Sequence, residues 1–80
     1  MNADIKVAKE LNLRNLPCPM PVVKISKAVK EIAVGEVVMA ITTDPGALSD
    51  FPAWAKSSGH EILATEASGE ETKFYVKRLK

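Results

Sequence analysis

Hydrophobic and polar residues follow two spacings along this chain, and together these spacings predict six elements. Alternation of apolar and polar positions, as at Ile5, Val7, Leu11 and Leu13, indicates a strand with one polar face. Recurrence of apolar positions at offsets of three and four, as after Pro21, indicates an amphipathic helix. The predicted elements are strand 5–13, helix 19–33, strand 36–43, helix 47–58, strand 60–67 and strand 72–79.

The first predicted helix has an apolar face and a charged face. We expect Gly35 to end this helix, because glycine adopts the left-handed conformation found at many helix C-termini. The side chains predicted to face the core are those of Val22, Ile25, Ala28, Val29, Ile32 and Ala33. The side chains predicted to face outward are those of Met20, Lys24, Lys27, Lys30 and Glu31.

The second predicted helix contains a proline that restricts where it begins. Proline is tolerated only in the first turn of a helix, so Pro52 favours a regular helix that begins at Asp50. Gly59 is expected to end it. The side chains expected to face the core are those of Leu48, Phe51 and Ala55, with Trp54 beside them.

The order of the elements predicts the fold. Strand 36–43 is almost continuously apolar and rich in β-branched residues, which is typical of a central strand or of a strand in a parallel pair. Residues 68–71 form a predicted hairpin turn between the last two strands. We therefore predict an α/β (α+β) two-layer sandwich of order β-α-β-α-β-β. It has a mixed four-stranded sheet with two helices on one face, and it is a single domain over residues 1–80.

Composition and charge exclude several classes of function. The chain has 80 residues, of which 46% are hydrophobic and 26% charged, so a folded globular domain is expected. The net charge of +1 argues against a protein that coats DNA or RNA. No apolar run approaches the length of a membrane span. A single cysteine excludes an internal disulfide framework and favours the reducing cytoplasm.

That cysteine, Cys18, lies between Pro17 and Pro19, with Pro21 two residues further on. Proline suits the first turn of a helix, so Pro19 and Pro21 indicate that a helix opens beside the thiol. A helix N-terminus favours the thiolate form of cysteine and makes the sulfur more nucleophilic. The alternative is a buried cysteine with no chemical role, which is common for a lone thiol.

Other chemistry is disfavoured by the residues present. The chain lacks paired carboxylates, phosphate-binding loops and metal-ligand spacings, so we expect neither a metal nor another cofactor. Without a second cysteine there is no dithiol to resolve a mixed disulfide. We expect His60 to lie far from Cys18, because one follows a helix and the other opens one. A Cys–His catalytic pair is therefore disfavoured. A single nucleophilic sulfur can still carry a persulfide.

The segment Cys18-Pro19-Met20-Pro21 resembles the Cys-Pro-x-Pro signature of the TusA/SirA/YedF family of small sulfur-carrier proteins. Three later segments are similar to landmarks of that family at matching spacing. They are Asp44-Pro45, Asp50-Phe51-Pro52-x-Trp54 and Gly59-His60-Glu61. One departure is Pro17, because thiolation-type members often have arginine or another polar residue just before the cysteine.

The resemblance implies both a fold and a function. The implied fold places the last strand antiparallel between the second and third strands. The implied function is that Cys18 takes a persulfide sulfur from a cysteine desulfurase or rhodanese-type donor and passes it to an acceptor sulfurtransferase. The acceptor pathways known in the family are tRNA thiolation, molybdenum-cofactor maturation and sulfur oxidation. Pro19 and Pro21 would shape the helix cap around the sulfur.

The outward face of the first helix is the expected docking surface for these partners, through Met20, Lys24 and Lys27. Two alternatives remain open. In the first, the protein is a regulatory interaction module whose cysteine has no catalytic role. In the second, which the near-neutral charge disfavours, it binds RNA.

Overall fold

A computed structural model describes residues 7–17 and 20–80 of the chain. The elements are β1 Val7–Leu13, α1 Met20–Val29, β2 Val37–Thr42, α2 Ala47–Ser58, β3 Glu61–Ser68 and β4 Glu71–Lys77. They follow the predicted order, and β4 lies between β2 and β3 in a four-stranded sheet of order β1-β2-β4-β3. β1 is parallel to β2, and the other two pairings are antiparallel.

The hydrophobic core lies between the two helices and one face of the sheet. β2 and β4 contribute alternate residues to it, as their register places Val38 beside Val76 and Ala40 beside Phe74. Phe74 also contacts Phe51 of α2, with the ring centroids 4.4 Å apart and both side chains fully buried. The predicted two-layer architecture is therefore confirmed, and the central position of the apolar strand β2 explains its composition.

The first helix is shorter than the sequence pattern predicts. α1 ends at Val29, and residues 30–32 continue in tighter turns with hydrogen bonds to the third residue before. This tightening keeps Ile32 in the core while the Arg78 guanidinium donates to the Ile32 carbonyl. Ala33, predicted to be buried, is exposed. The predicted Gly35 cap is also wrong, because the Gly35 N–H donates to the Arg78 carbonyl at 2.7 Å instead.

The second helix begins earlier than Pro52 suggested. The Gly46 carbonyl accepts hydrogen bonds from the N–H groups of Ser49 and Asp50, so the helix already runs from Ala47. Pro52 is exposed to solvent, so water can replace the one backbone hydrogen bond that its missing N–H removes. The predicted start at Asp50 is therefore wrong.

The core-facing side of α2 also differs by one position from the prediction. Ala47, Phe51 and Ala55 are buried at a spacing of four residues, whereas Leu48 is 53% exposed. The early helix start makes Ala47 the first member of the buried row, which turns Leu48 away from the sheet. Gly59 ends the helix as predicted, with a φ of 80°.

The two sides of α2 should differ sharply in their sensitivity to truncation. Phe51→Ala removes a fully buried ring that packs on Phe74, so we expect the free energy of unfolding to fall by about 3–5 kcal/mol. Leu48→Ala, at the exposed position, should change it by no more than about 0.5 kcal/mol. Urea unfolding followed by Trp54 fluorescence measures both. Equal losses would contradict the orientation of α2.

Candidate functional site at the carboxyl ends of β1 and β2

The parallel pairing of β1 with β2 brings their carboxyl ends to one edge of the sheet. Leu13 pairs with Thr42 at the last position of both strands. The chain enters a helix soon after each of these ends, so both α1 and α2 begin near this edge. β4 starts at the same edge, because Thr72 pairs with Thr42. Loops from three parts of the chain therefore meet there.

The connection from β1 to α1 is anchored to its surroundings by backbone hydrogen bonds. Asn15 has a φ of 65°, a left-handed conformation that asparagine tolerates better than most residues. Its N–H donates to the Thr43 hydroxyl at 2.9 Å, which ties the connection to the residue after β2. The Leu16 N–H donates back to the Leu13 carbonyl at 3.4 Å. These contacts hold the chain as it leaves the sheet.

Cys18 and Pro19, the predicted nucleophile and one of its supporting prolines, lie outside the described residues. The residues on either side of them are described. The Met20 N–H donates to the Pro17 carbonyl at 2.9 Å, so the two flanking residues are hydrogen-bonded to each other. Pro21, the second supporting proline, is the second residue of α1 and is fully buried. The predicted helix opening next to the cysteine is thus confirmed at Pro21.

An ion pair joins the β1–α1 connection to the start of β4. The Arg14 guanidinium donates to both carboxylate oxygens of Glu71, from Nε at 2.6 Å and from Nη2 at 3.2 Å. The hydrogen bond with Glu71 raises the pKa of Arg14, and the same bond lowers the pKa of Glu71. Sequence analysis missed this pair, because the two residues are 57 positions apart and no local pattern links them.

The β2–α2 connection places a carboxylate beside a cavity. Oδ1 of Asp44 accepts from the Gly46 N–H at 3.1 Å, while Oδ2 is buried with no hydrogen-bond partner among the described residues. The cavity has a volume of about 320 Å³ and lies between this connection, Leu48 and the β3–β4 hairpin. Leu48 therefore lines the surface of the candidate site rather than the core.

The outward face of α1 is as the sequence predicts. Met20 is 37% exposed, and Lys24 and Lys27 are both exposed. Val23, also on the exposed surface, adds a second apolar side chain that the pattern of charged residues did not single out. A docking function for this face remains a prediction.

His60 lies at the opposite edge of the sheet from Pro17 and Met20. It immediately precedes Glu61, which pairs with the last residue of β4 and lies level with the start of β2. Its N–H donates to the Ala55 carbonyl and completes the end of α2, while its ring Nδ1 accepts from the Leu79 N–H at 3.2 Å. The histidine thus has a structural role in closing α2 and holding the C-terminal segment.

Known proteins share the sequence pattern and the fold of this chain. The family model of the sulfurtransferase TusA matches residues 9–78. The chain belongs to the TusA family. Among the relatives, the sulfur carrier protein TusA of Allochromatium vinosum is 34% identical over 70 residues, which cover 88% of this chain and 92% of the relative.

A longer relative of the TusA family shows that the domain also occurs within larger proteins. YrkF of Bacillus subtilis, whose name describes it as a candidate sulfur carrier protein, is 43% identical over 92% of this chain, but the match spans only 40% of YrkF. A solved structure, the SirA-like protein from Desulfitobacterium hafniense, superposes with a TM-score of 0.77 at 18% identity. It covers 90% of this chain and 99% of that protein, which confirms the fold.

Within the part of the chain that the structure describes, no group of three histidine, cysteine or acidic side chains is arranged to hold a metal ion. In the same residues, no helix is long and apolar enough to cross a bilayer.

The partial burial of His60 should make stability depend on pH. Burial lowers the pKa of His60, and the nearby charges of Arg78 and Lys80 lower it further. The unfolded chain therefore binds a proton more readily than the folded one. Stability should be constant above the ordinary histidine pKa of about 6.5 and should fall as the pH drops through and below it.

Unfolding free energies between pH 8 and pH 5 test this expectation, together with NMR titration of the ring. His60→Asn, which keeps a hydrogen-bond acceptor but does not titrate in this range, should remove this component of the pH dependence. A His60 pKa above the ordinary value would contradict the assignment.

Proposed function

We propose that this TusA-family protein is a sulfur carrier that holds a persulfide on Cys18. The observation that supports this most directly is the family match, which spans the Cys-Pro-x-Pro segment within residues 9–78. The arrangement of the described residues is consistent with it, because the flanking residues Pro17 and Met20 lie where β1 ends and α1 begins. A thiol at such a helix opening is expected to be more acidic than usual.

The proposed chemistry needs only a thiolate on the carrier. The Cys18 thiolate attacks the outer sulfur of a donor persulfide, a new S–S bond forms, and the donor cysteine leaves as a thiolate. In the second transfer, an acceptor thiolate attacks the outer sulfur on Cys18 and the carrier thiolate is released. One sulfur atom moves in each step, and no external oxidant or reductant is consumed.

The two supporting prolines are proposed to restrict the backbone around the thiol. Proline fixes φ near −65°, so Pro19 and Pro21 reduce the number of conformations from which the thiol can react. Pro21 is fully buried, so it also anchors the first turn of α1 against the core. The first turn of α1 carries no acidic side chain that would oppose a thiolate or an anionic persulfide.

The proposed donors are a cysteine desulfurase or a rhodanese-like protein, and the proposed acceptor is another sulfurtransferase, as in tRNA thiolation or related sulfur transfer. Met20, Lys24 and Lys27 are proposed to form the docking surface, because exposed lysines beside an apolar side chain suit a partner with an acidic rim. We propose that residues 1–80 act as one domain in the cytoplasm, without direct binding to DNA.

Persulfide loading can be measured by intact mass spectrometry. After incubation with a cysteine desulfurase and cysteine, or with a rhodanese and thiosulfate, the protein should gain about 32 Da, the mass of one sulfur atom. The gain should be reversed by a reductant. Cys18→Ser should fold normally but show no gain, because an alcohol does not accept sulfane sulfur.

No mass gain with either donor would overturn the carrier function and favour the alternative, an interaction module with a non-catalytic cysteine. A gain that persists in Cys18→Ser would show that the added mass is not a persulfide on Cys18, because the variant has no cysteine, and would overturn the proposal as well.

The docking surface makes a separate prediction about rate. Lys24→Glu and Lys27→Glu should each reduce the second-order rate of sulfur transfer by about threefold to tenfold at low salt, because reversed charges slow encounter with an acidic partner. The differences should shrink as ionic strength rises. Lys56→Glu, at an exposed position near the end of α2, is the matched control for net charge and should have little effect. Equal effects at all three positions would contradict a localised docking surface.

A further inference from the structure

The Arg14–Glu71 ion pair links the end of β1, the strand that precedes Cys18, to the start of β4, one of the two central strands of the sheet. Arg14 immediately follows β1 and comes four residues before Cys18, while Glu71 is the first residue of β4. β2 separates β1 from β4 in the sheet, so the pair reaches across the end of β2. It therefore links the β1–α1 connection to β4, which is not a neighbour of β1 in the sheet.

The pair acts together with a second tie to the same connection. The Asn15 N–H bonds to Thr43, which follows β2, and the neighbouring Arg14 side chain bonds to β4. Two successive residues are thereby held at two places, one by the residue after β2 and the other by the first residue of β4. Both bonds of the guanidinium are formed to one carboxylate, a planar geometry that fixes orientation as well as distance.

We infer that Arg14 and Glu71 are positioning residues for the reaction at Cys18, acting by holding the connection that leads from β1 to the thiol. This inference rests on the proposed function, in which the thiol must meet a donor persulfide in a defined orientation. Small displacements of a reacting group reduce reaction rates strongly. Holding the chain that leads to the thiol in one position should therefore raise the rate of sulfur transfer.

A purely electrostatic role makes a different prediction from a positioning role. Arg14→Met leaves the Glu71 carboxylate unpaired, whereas Glu71→Gln leaves the Arg14 guanidinium unpaired. If the charges acted on the thiol through space, the first variant would make it less reactive and the second would make it more reactive. If the pair positions the connection, both variants slow the reaction.

The ion pair between Lys9 and Glu31 supplies a matched control. Its Nζ–Oε1 distance is 2.5 Å, and its side chains are 39% and 48% exposed, close to the 37% and 41% of Arg14 and Glu71. It lies towards the other edge of the sheet, since Lys9 is level with Val38 and Glu31 follows the end of α1. Lys9→Met and Glu31→Gln remove similar charges without touching the β1–α1 connection.

The experiment measures the rate at which iodoacetamide alkylates Cys18 as a function of pH, beside the free energy of unfolding. Cys18 is the only cysteine, so alkylation reports on this thiol alone and requires no sulfur donor. We expect Arg14→Met and Glu71→Gln each to slow alkylation at pH 7 by at least about threefold. A thiol that is no longer held near the start of α1 loses part of the stabilisation of its thiolate, so its pKa rises. The Lys9 and Glu31 variants should leave the rate unchanged.

A charge swap completes the test. Arg14→Glu combined with Glu71→Arg should recover most of the rate lost in the single variants. Opposite shifts in the two single variants, unchanged rates, or an equal loss in the control variants would each overturn the positioning role. Glu71→Gln is nearly isosteric, so it keeps the test decisive if an Arg14 variant fails to fold.

The alkylation result is independent of the persulfide measurement. If the wild type fails to load sulfur but Arg14→Met and Glu71→Gln still slow alkylation, the carrier function alone is rejected. An equal slowing in the control variants would reject the positioning role alone. Where the wild type does load, the two single variants should also slow transfer from the donor persulfide to Cys18.

Discussion

The antiparallel pairing of β4 with β2 is the constraint on which the rest of this structure depends. It completes the core, since Phe74 and Val76 lie beside Ala40 and Val38, and Phe74 packs on Phe51 of α2. The same register brings the first residues of β4 to the edge where β1 and β2 end. One set of backbone hydrogen bonds thus places the core and the surroundings of the candidate site together.

This arrangement separates the two ends of the sheet by role. At one end, the connections before α1 and α2 meet the β3–β4 hairpin, and α1 begins at Met20. At the other end, Arg78 donates its side chain to the Ile32 carbonyl, and His60 accepts from Leu79. The C-terminal segment is therefore used to close the structure far from the residues that flank the cysteine.

Local patterns predicted the elements well, because each strand and helix buries one face and its apolar residues recur at the corresponding spacing. They failed where tertiary contacts decide the outcome. The side chain of Arg78, which is distant in sequence, donates to the Ile32 carbonyl just beyond the early end of α1. Hydrogen bonds to the Gly46 carbonyl start α2 earlier than Pro52 suggests. The exposed position of Leu48 follows from the second of these effects. The order of the strands came from the family resemblance and not from periodicity.

The candidate site divides in the same way. The motif around Cys18, the buried Pro21 and the exposed lysines of α1 are contiguous in sequence, so local reasoning finds them. Glu71 has no such signal, because its relation to Arg14 exists only after β4 has inserted beside β2. The proposed chemistry requires a thiol that a partner can reach, and a reachable side chain has little packing to order it. The hydrogen bonds from Arg14 to Glu71 of the central strand β4 are one physical means of ordering the preceding chain without covering the thiol.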